Sequence, residues 1–320
     1  MKKTMYILIV TALITTVSAC SAPGLSGEEN SQAENPSNAT NTDTDENFQL
    51  STGSSNLGVG STQTNPVDGA MAVYIPAGEF MIGSEATANA LQVLTVYLDA
   101  FWIYQTEVTN AQFSEFVATT GYQTFVEERG RSYIFNSSGP HQVTGADWGH
   151  PAGPDSSISE ILNHPVVHIH WNDAAAYCEW AGGSLPTEAQ WESAARGGLA
   201  GQAYPWGDEA PTCSNGTANG AQFNLCDGQT LEVGSFQPNG YGLYDMAGNA
   251  VEWVNDWYDG NYSEGMPYEN PTGPASGTYH VLRGGSFYAS ENYLQVYFRT
   301  RLHELDSIDW SNGFRCVWEP

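Results

Sequence analysis

Lysine is almost missing from this chain: among 320 residues the only two are Lys2 and Lys3. Beyond the first twenty residues all fixed positive charge lies on seven arginines, at positions 129, 131, 196, 283, 299, 301 and 315. They face 36 acidic residues, a formal charge of about −29 for that part of the chain. Such a surface repels phosphate backbones, whose binding depends on clustered Lys and Arg, so nucleic acid is excluded as a partner. Without lysine there is no Schiff-base nucleophile and no phosphate-loop lysine. There is also no glycine-rich nucleotide loop, no CxxC pair and no repeat of solenoid period.

Most of the apolar content at the start is concentrated in one short run. Lys2 and Lys3 precede Met5 to Val17, and Val17-Ser18-Ala19-Cys20 closes the run with small residues. This is the charged, apolar and small-residue order of a secretory signal, too short for a spanning helix. A cysteine directly after the small residues resembles the lipobox of bacterial lipoproteins. Residues 1–19 are then a lipoprotein signal peptide, Cys20 is lipidated, and the expected location is the bacterial cell envelope, outside the cytoplasm. The lipid is the only expected link to a membrane. Residues 20–70 are Ser, Thr, Asn, Gly and acidic side chains with hardly an aromatic ring, too little apolar area to offset chain entropy. They read as a disordered tether.

At Met71 the pattern turns to apolar alternation with frequent Trp, Tyr and Gly, and it stays so to Pro320. These about 250 residues suffice for one core. Alternation predicts strands over 71–81 and 94–103. Thr109 and Gln112 form a capping box for a first helix, with Val108 positioned to staple onto Phe113 and Gly121 as its stop. A second helix is expected from about Asp173 to Ala181 behind Asn172, and a third behind Thr187, with Gln190 completing the box and Gly197-Gly198 ending it. The remainder is turns and short strands. The fold class is α+β, a single loop-rich domain over 71–320 with little regular secondary structure.

Three residue groups invite a chemical reading. Export makes disulfides available to the four cysteines after Cys20. Proximity pairs Cys213 with Cys226 and leaves Cys178 for Cys316, although four cysteines allow three connectivities. Asp245 and Glu252 flank a glycine turn whose carbonyls could join them around calcium, or are solvated acids of an acidic protein. His168 and His170, on an extended strand, would share a face near His164, either as metal ligands or as packed rings beside Trp171.

These segments together resemble the formylglycine-generating enzyme, or sulfatase-modifying factor, domain family, whose fold is related to C-type lectins. The resemblance is carried by Tyr74-Ile-Pro-Ala-Gly-Glu-Phe-Met-Ile-Gly83, Glu107-Val-Thr-Asn-Ala-Gln-Phe113, His164-Pro-Val-Val167 and Trp171-Asn-Asp-Ala-Ala-Ala-Tyr-Cys-Glu-Trp-Ala181. It continues through Leu185-Pro-Thr-Glu-Ala-Gln-Trp-Glu192, Tyr204-Pro-Trp-Gly-Asp208, Asn239-Gly-Tyr-Gly-Leu-Tyr-Asp245, Gly248-Asn-Ala-Val-Glu-Trp253, Arg283-Gly-Gly-Ser286 and Gly313-Phe-Arg-Cys316. It implies the disulfide Cys178–Cys316 and a structural calcium bound by side chains of Asp245 and Glu252 and carbonyls of Gly248 and Ala250. The family's second calcium loop would fall near 219–229, a stretch that is shortened here.

The family's oxidase converts a sulfatase cysteine to formylglycine through two thiols that hold copper(I). Here those positions are Ala289 and Leu294, neither of which can ligate this soft ion, so copper is not an expected cofactor. The family's other disulfide is missing as well, with Ala194 and Ala195 at one end and Arg299 and Thr300 at the other. The expected function is therefore binding, through a cleft in which Arg283, Ser286, Tyr288, Tyr293, Arg299, Arg301, Trp310 and Arg315 are the candidate contacts, for a peptide, protein or glycan. Two alternatives remain: an atypical oxidase, including one using another metal at His168, His170 or His303, and an assembly partner at the envelope.

Overall fold

The computed structural model describes residues 57–136, 139–301 and 308–320. The segment 1–19, Cys20, the tether as far as residue 56 and His303 lie outside the described residues. Eleven described strands follow in chain order: β1 (Thr62–Thr64), β2 (Met71–Ile75), β3 (Gly78–Ile82), β4 (Leu94–Leu98), β5 (Phe101–Tyr104), β6 (Arg131–Asn136), β7 (Gly139–Thr144), β8 (Val251–Trp257), β9 (His280–Arg283), β10 (Asn312–Phe314) and β11 (Val317–Trp318). Four α-helices accompany them: α1 (Asn110–Thr120), α2 (Phe125–Arg129), α3 (Trp171–Trp180) and α4 (Glu188–Ala195). The strands form one sheet of order β1-β2-β5-β11, a second of order β10-β8-β9, and two hairpins, β3-β4 and β6-β7. In the second sheet β10 runs parallel to β8 and β9 antiparallel to it.

The expected alternation over 71–81 and 94–103 is interrupted in both stretches. Pro76, which cannot donate to a ladder, separates β2 from β3, and Asp99-Ala100 separates β4 from β5, so each stretch feeds two different sheets. Helix α1 starts as its capping box requires: Thr109 Oγ1 accepts from the Gln112 amide, Gln112 Oε1 accepts from the Thr109 amide at 2.9 Å, and Gly121 closes the helix in the left-handed region. Thr187 and Gln190 do the same for α4. Helix α3 begins two residues earlier than expected. The His170 imidazole accepts from the Asn172 amide and the Asp173 carboxylate accepts from the His170 amide at 2.9 Å, which puts the cap on His170 and not on Asn172.

The folded chain also begins before Met71. Strand β1 pairs antiparallel with β2, and buried Asn65 donates to the Tyr104 hydroxyl and the Ala181 carbonyl. Asp68 accepts from the Tyr104 and Tyr177 hydroxyls at 2.7 and 2.6 Å. Polar hydrogen bonds, with Ala70 as the one buried apolar side chain, fasten residues 61–70 to the domain, which is why an apolar criterion assigns them to the tether.

Two large apolar clusters and a smaller one fill the interior of the described residues. One of the large clusters is built on Val73, Ile75, Phe101, Ile103, Trp191 and Val254, the other on Tyr104, Phe113, Phe116, Tyr177 and Phe314. Cys178 on α3 is bonded to Cys316, and Cys213 to Cys226. The interior also holds a lattice of buried charge. Glu192 accepts from Arg196 at 2.7 Å and from Arg283 at 2.6 Å, while Glu188 takes Arg299 in a two-pronged pair at 2.7 and 2.9 Å. Arg283 lies over the Trp191 ring, and its two terminal nitrogens donate to the carbonyls of Phe298 and Val296. Removing one member of such a lattice strands its partners' charge, at a cost of about 3–5 kcal/mol. Glu192→Gln keeps the volume and leaves Arg196 and Arg283 without their shared carboxylate. A loss of that size in denaturant unfolding is expected, and a change under about 1 kcal/mol would show that the lattice is not needed.

Candidate functional site

Strands β8, β9 and β10 carry a cleft at one end. Its floor is Val251, Leu282 and Asn312, and its wall is the turn that follows Arg283, with Ser286, Tyr288, Ala289, Ser290 and Tyr293. Thr300, Arg301, Asp309 and Ser311 complete a cavity of about 300 Å³. Gly285 makes the wall possible. Its φ is +70°, and a Cβ there would meet Leu294 Cδ1 at 2.9 Å and the Tyr293 carbonyl carbon at 3.0 Å. The turn is pinned from behind as well: the Asn224 amide donates to the Ala289 carbonyl and the Leu225 amide to the Phe287 carbonyl. Both donors belong to the loop closed by Cys213–Cys226.

The two positions that correspond to the family's thiols are occupied by apolar packing. Ala289 lines the cavity, while Leu294 is fully buried, 0% exposed, among Tyr204, Ala221, Phe223 and Ala247, with Ala289 against the same cluster. The four cysteines of the described residues are all disulfide-bonded. The donor set a copper(I) ion needs, two thiolates, is therefore not offered here.

Of the eight residues expected as cleft contacts, four line the cavity: Ser286, Tyr288, Tyr293 and Arg301. Tyr288 and Tyr293 are 40% and 42% exposed at its mouth, and Arg301 stacks on Tyr279 with its guanidinium 4.5 Å from the ring centre. Trp310 stands behind Tyr288, with ring centres 5.2 Å apart, and is 9% exposed. Arg283, Arg299 and Arg315 do not line the cavity; each is buried and paired with a glutamate. Charge alone suggests a recognition surface for them, but in a chain this acidic the few guanidiniums are drawn to interior carboxylates. The cleft also uses residues without any local signal in the sequence. Phe135, from the β6-β7 hairpin, stacks on both Tyr288 and Trp310, and Asp309 accepts from the Ser311 amide and hydroxyl at 2.9 and 2.6 Å.

His164, His168 and His170 make structural contacts. His168 has φ +62°, so 168 and 170 do not share a strand face. Its ring is buried, donates to the Pro151 carbonyl at 2.9 Å and contacts Ser132 Oγ, and burial lowers it to about 4. His170 caps α3 and His164 contacts Thr230. Among the described residues no three His, Cys, Asp or Glu side chains converge on one metal position.

The glycine turn is buried over residues 246–252, and Asp245 at its start is half-buried. Glu252 holds Arg315 in a two-pronged pair at 2.7 and 2.7 Å and accepts from Trp191 Nε1 at 2.7 Å. Asp245 accepts from the Gly234 amide at 2.6 Å, and burial and the neighbouring carboxylates push Asp245 and Glu107 above the ordinary range. Three carboxylates lie against one guanidinium, and one buried oxygen of Glu107 lacks a hydrogen-bond partner.

The model of the sulfatase-modifying factor enzyme 1-like domain matches residues 59–320. The chain belongs to this family. It is 40% identical over 281 residues to the formylglycine-generating enzyme of Mus musculus, covering 77% of this chain and 74% of that protein. It is 36% identical over 283 residues to the inactive C-alpha-formylglycine-generating enzyme 2 of the same species, covering 77% and 84%. Among solved structures, PvdO from Pseudomonas aeruginosa shares the fold with a TM-score of 0.65 at 24% identity, over 82% of this chain and 99% of that one. The family thus contains both active and inactive members, and its members often bind calcium.

Asp309 gives the cleft a pH dependence. Burial raises its carboxyl from 3.8 to about 6, against the opposing pull of Ser311. Between those values the folded state keeps a proton the unfolded state has lost, so this group's contribution falls as pH rises through that window. Asp309→Asn retains the acceptor for Ser311 and has no charge to desolvate. Its stability relative to the parent should therefore rise from about pH 4 to pH 6 and then level off, and a difference constant across that range in thermal unfolding would refute the assignment.

Proposed function

We propose that this protein is an envelope lipoprotein that uses the family's cleft to bind a peptide, protein or glycan, without oxidising it. The observation that carries this reading is the pair Ala289 and Leu294, one lining the cavity and the other fully buried, where the oxidase needs two thiolates. The mouth suits recognition: Phe135, Tyr288 and Tyr293 offer large, stiff, partly exposed rings, and Arg301, Asp309 and several hydroxyls supply polar contacts. Calcium at Asp245, Gly248, Ala250 and Glu252 would hold the turn that leads into β8, supplying structure and no chemistry.

The second reading, an atypical oxidase acting on sulfatases or another protein, is favoured by the 40% identity to formylglycine-generating enzymes. The two diverge in one assay. Purified protein given copper(I), dioxygen and a cysteine peptide of sulfatase type should leave the thiol unchanged, and should bind at least one member of a peptide and glycan array. Tyr288→Ala with Tyr293→Ala should weaken that binding at least about tenfold without altering the unfolding temperature, because both rings are already half in solvent. Formylglycine in the product peptide, or an array with no hit, overturns the binding reading.

The anchor rests on Lys2-Lys3, the apolar run and Cys20. Cys20→Ala should move the exported protein from the detergent phase to the aqueous phase on Triton X-114 partition. Equal partition of variant and parent removes the lipid from the proposal.

A further inference from the structure

Resting on the binding reading of the cleft, we infer that Asp309 anchors a primary ammonium group there, so that the ligand is a peptide or protein presenting a lysine side chain. Asp309 is the one carboxylate among the described residues that line the cavity. Its Oδ1 is occupied, accepting from the Ser311 amide at 2.9 Å and hydroxyl at 2.6 Å, whereas no described donor reaches Oδ2. The backbone around it is fixed: the Asp309 amide donates to Asn312 Oδ1 at 2.9 Å, and its carbonyl accepts from the His168 amide at 3.1 Å. The carboxylate is thus held in place before a ligand arrives, which lowers the ordering cost of binding. Desolvation raises this acid toward its neutral form, so a cation entering the cavity pairs a charge that burial otherwise makes costly.

The single open oxygen distinguishes ammonium from guanidinium. A guanidinium is matched by both oxygens of a carboxylate, as Arg315 is by Glu252 at 2.7 and 2.7 Å, and Asp309 has only one to give. An ammonium is a compact charge with three donors on a flexible stem. One donor takes Asp309 Oδ2, and the hydroxyls of Ser286, Ser290 and Thr300 in the same cavity are acceptors for the others. Tyr288 and Tyr293 are 40% and 42% exposed at the mouth, where such rings attract a cation and pack along its methylene stem. Arg301, the other charge of the cavity, does not pair with Asp309: its guanidinium carbon lies 4.5 Å from the Tyr279 ring centre and 5.5 Å from that of Tyr258. The acidic field of the whole chain adds attraction without selectivity, since all 36 acids contribute to it. Selectivity comes from the open oxygen, the hydroxyls and the rings.

The test is calorimetric titration of the full chain with Nα-acetyl-lysine methylamide, its Nε-acetyl derivative and Nα-acetyl-arginine methylamide. Salt at about 0.15 M screens attraction to the surface acids. The lysine probe should bind, Nε-acetylation should weaken it at least about tenfold, and the arginine probe should bind more weakly than lysine. Asp309→Asn keeps the acceptor for Ser311 and should lower lysine affinity to that of the acetylated probe, with no loss of unfolding temperature. Glu291→Gln removes an equal charge from an exposed position outside the cavity lining and should leave the affinity unchanged. No binding of the lysine probe, equal binding of its acetylated form, or arginine bound as tightly sinks the inference. Equal losses in Asp309→Asn and Glu291→Gln make the attraction a property of the surface and sink it too. A ligand from the peptide and glycan array that binds parent and Asp309→Asn alike also overturns it but leaves the binding reading standing, whereas an array without a hit defeats both.

Discussion

The arrangement of this protein depends on arginines held in its interior. Of the seven arginines, Arg196, Arg283, Arg299 and Arg315 are buried, and each finds a carboxylate within 2.7 Å. Helix α4 supplies two of those carboxylates from one face, Glu188 and Glu192, four residues apart and so one turn above the other. Through them the helix grips Arg283 at the end of β9 and Arg299 near the end of the cleft wall. Glu252 on β8 holds Arg315 beside the terminal disulfide. Buried ion pairs contribute little net stability over apolar packing of equal volume, but they tolerate few alternatives, because each unpaired charge costs several kcal/mol. A chain with short strands, four helices and long connections benefits from this kind of constraint, which specifies which segment meets which.

The lattice also determines what the cleft is made of. Arg283 Nη1 and Nη2 hold the Phe298 and Val296 carbonyls, fixing the segment that leads to Thr300 and Arg301. Immediately after Arg283, Gly284 and Gly285 turn left-handed, and Gly285 allows Leu294 and Tyr293 to close against the backbone. The disulfide loop at 213–226 supports the same turn from outside, through the Ala289 and Phe287 carbonyls. The mouth is thus a short loop braced on three sides. Side chains on such a loop can change while the brace persists, which makes it suited to specificity that varies more than the fold does.

Features of the fold that rest on local chemistry are legible in the sequence. The Thr109-Gln112 and Thr187-Gln190 boxes announce α1 and α4, and the cysteines pair as proximity suggests. An equally local signal, Thr124 with Glu127 before the five residues of α2, is present and easily passed over. What depends on distant partners is not legible. His170 displaces Asn172 as a cap because Phe125 stacks on the imidazole, with ring centres 4.6 Å apart across 45 residues of sequence. Strand β1 has no buried side chain, so apolar patterning cannot find it. The cleft divides in the same way. Ser286, Tyr288 and Tyr293 follow the motif Arg283-Gly-Gly-Ser286, whereas Phe135 and Asp309 join them only in the folded chain.

The arginines show why composition misleads at a single site. With so few cations against 36 acids, each guanidinium invites assignment to a ligand, yet four are enclosed within the frame. Burial of these four leaves Arg129, Arg131 and Arg301 as the only arginines outside the interior, so few cations stand among the acids of the surface. An anionic ligand approaching the cleft would meet a field of like sign with Arg301 as the nearby counter-charge, already stacked on Tyr279. If the cleft binds as proposed, long-range electrostatics would favour neutral or cationic partners and leave discrimination to the rings and hydroxyls at the mouth. That division is consistent with a cleft whose thiol positions are filled by methyl and isobutyl groups. On the binding function proposed above, the field would select the class of ligand, and contact at Tyr288, Tyr293 and Phe135 would select the member.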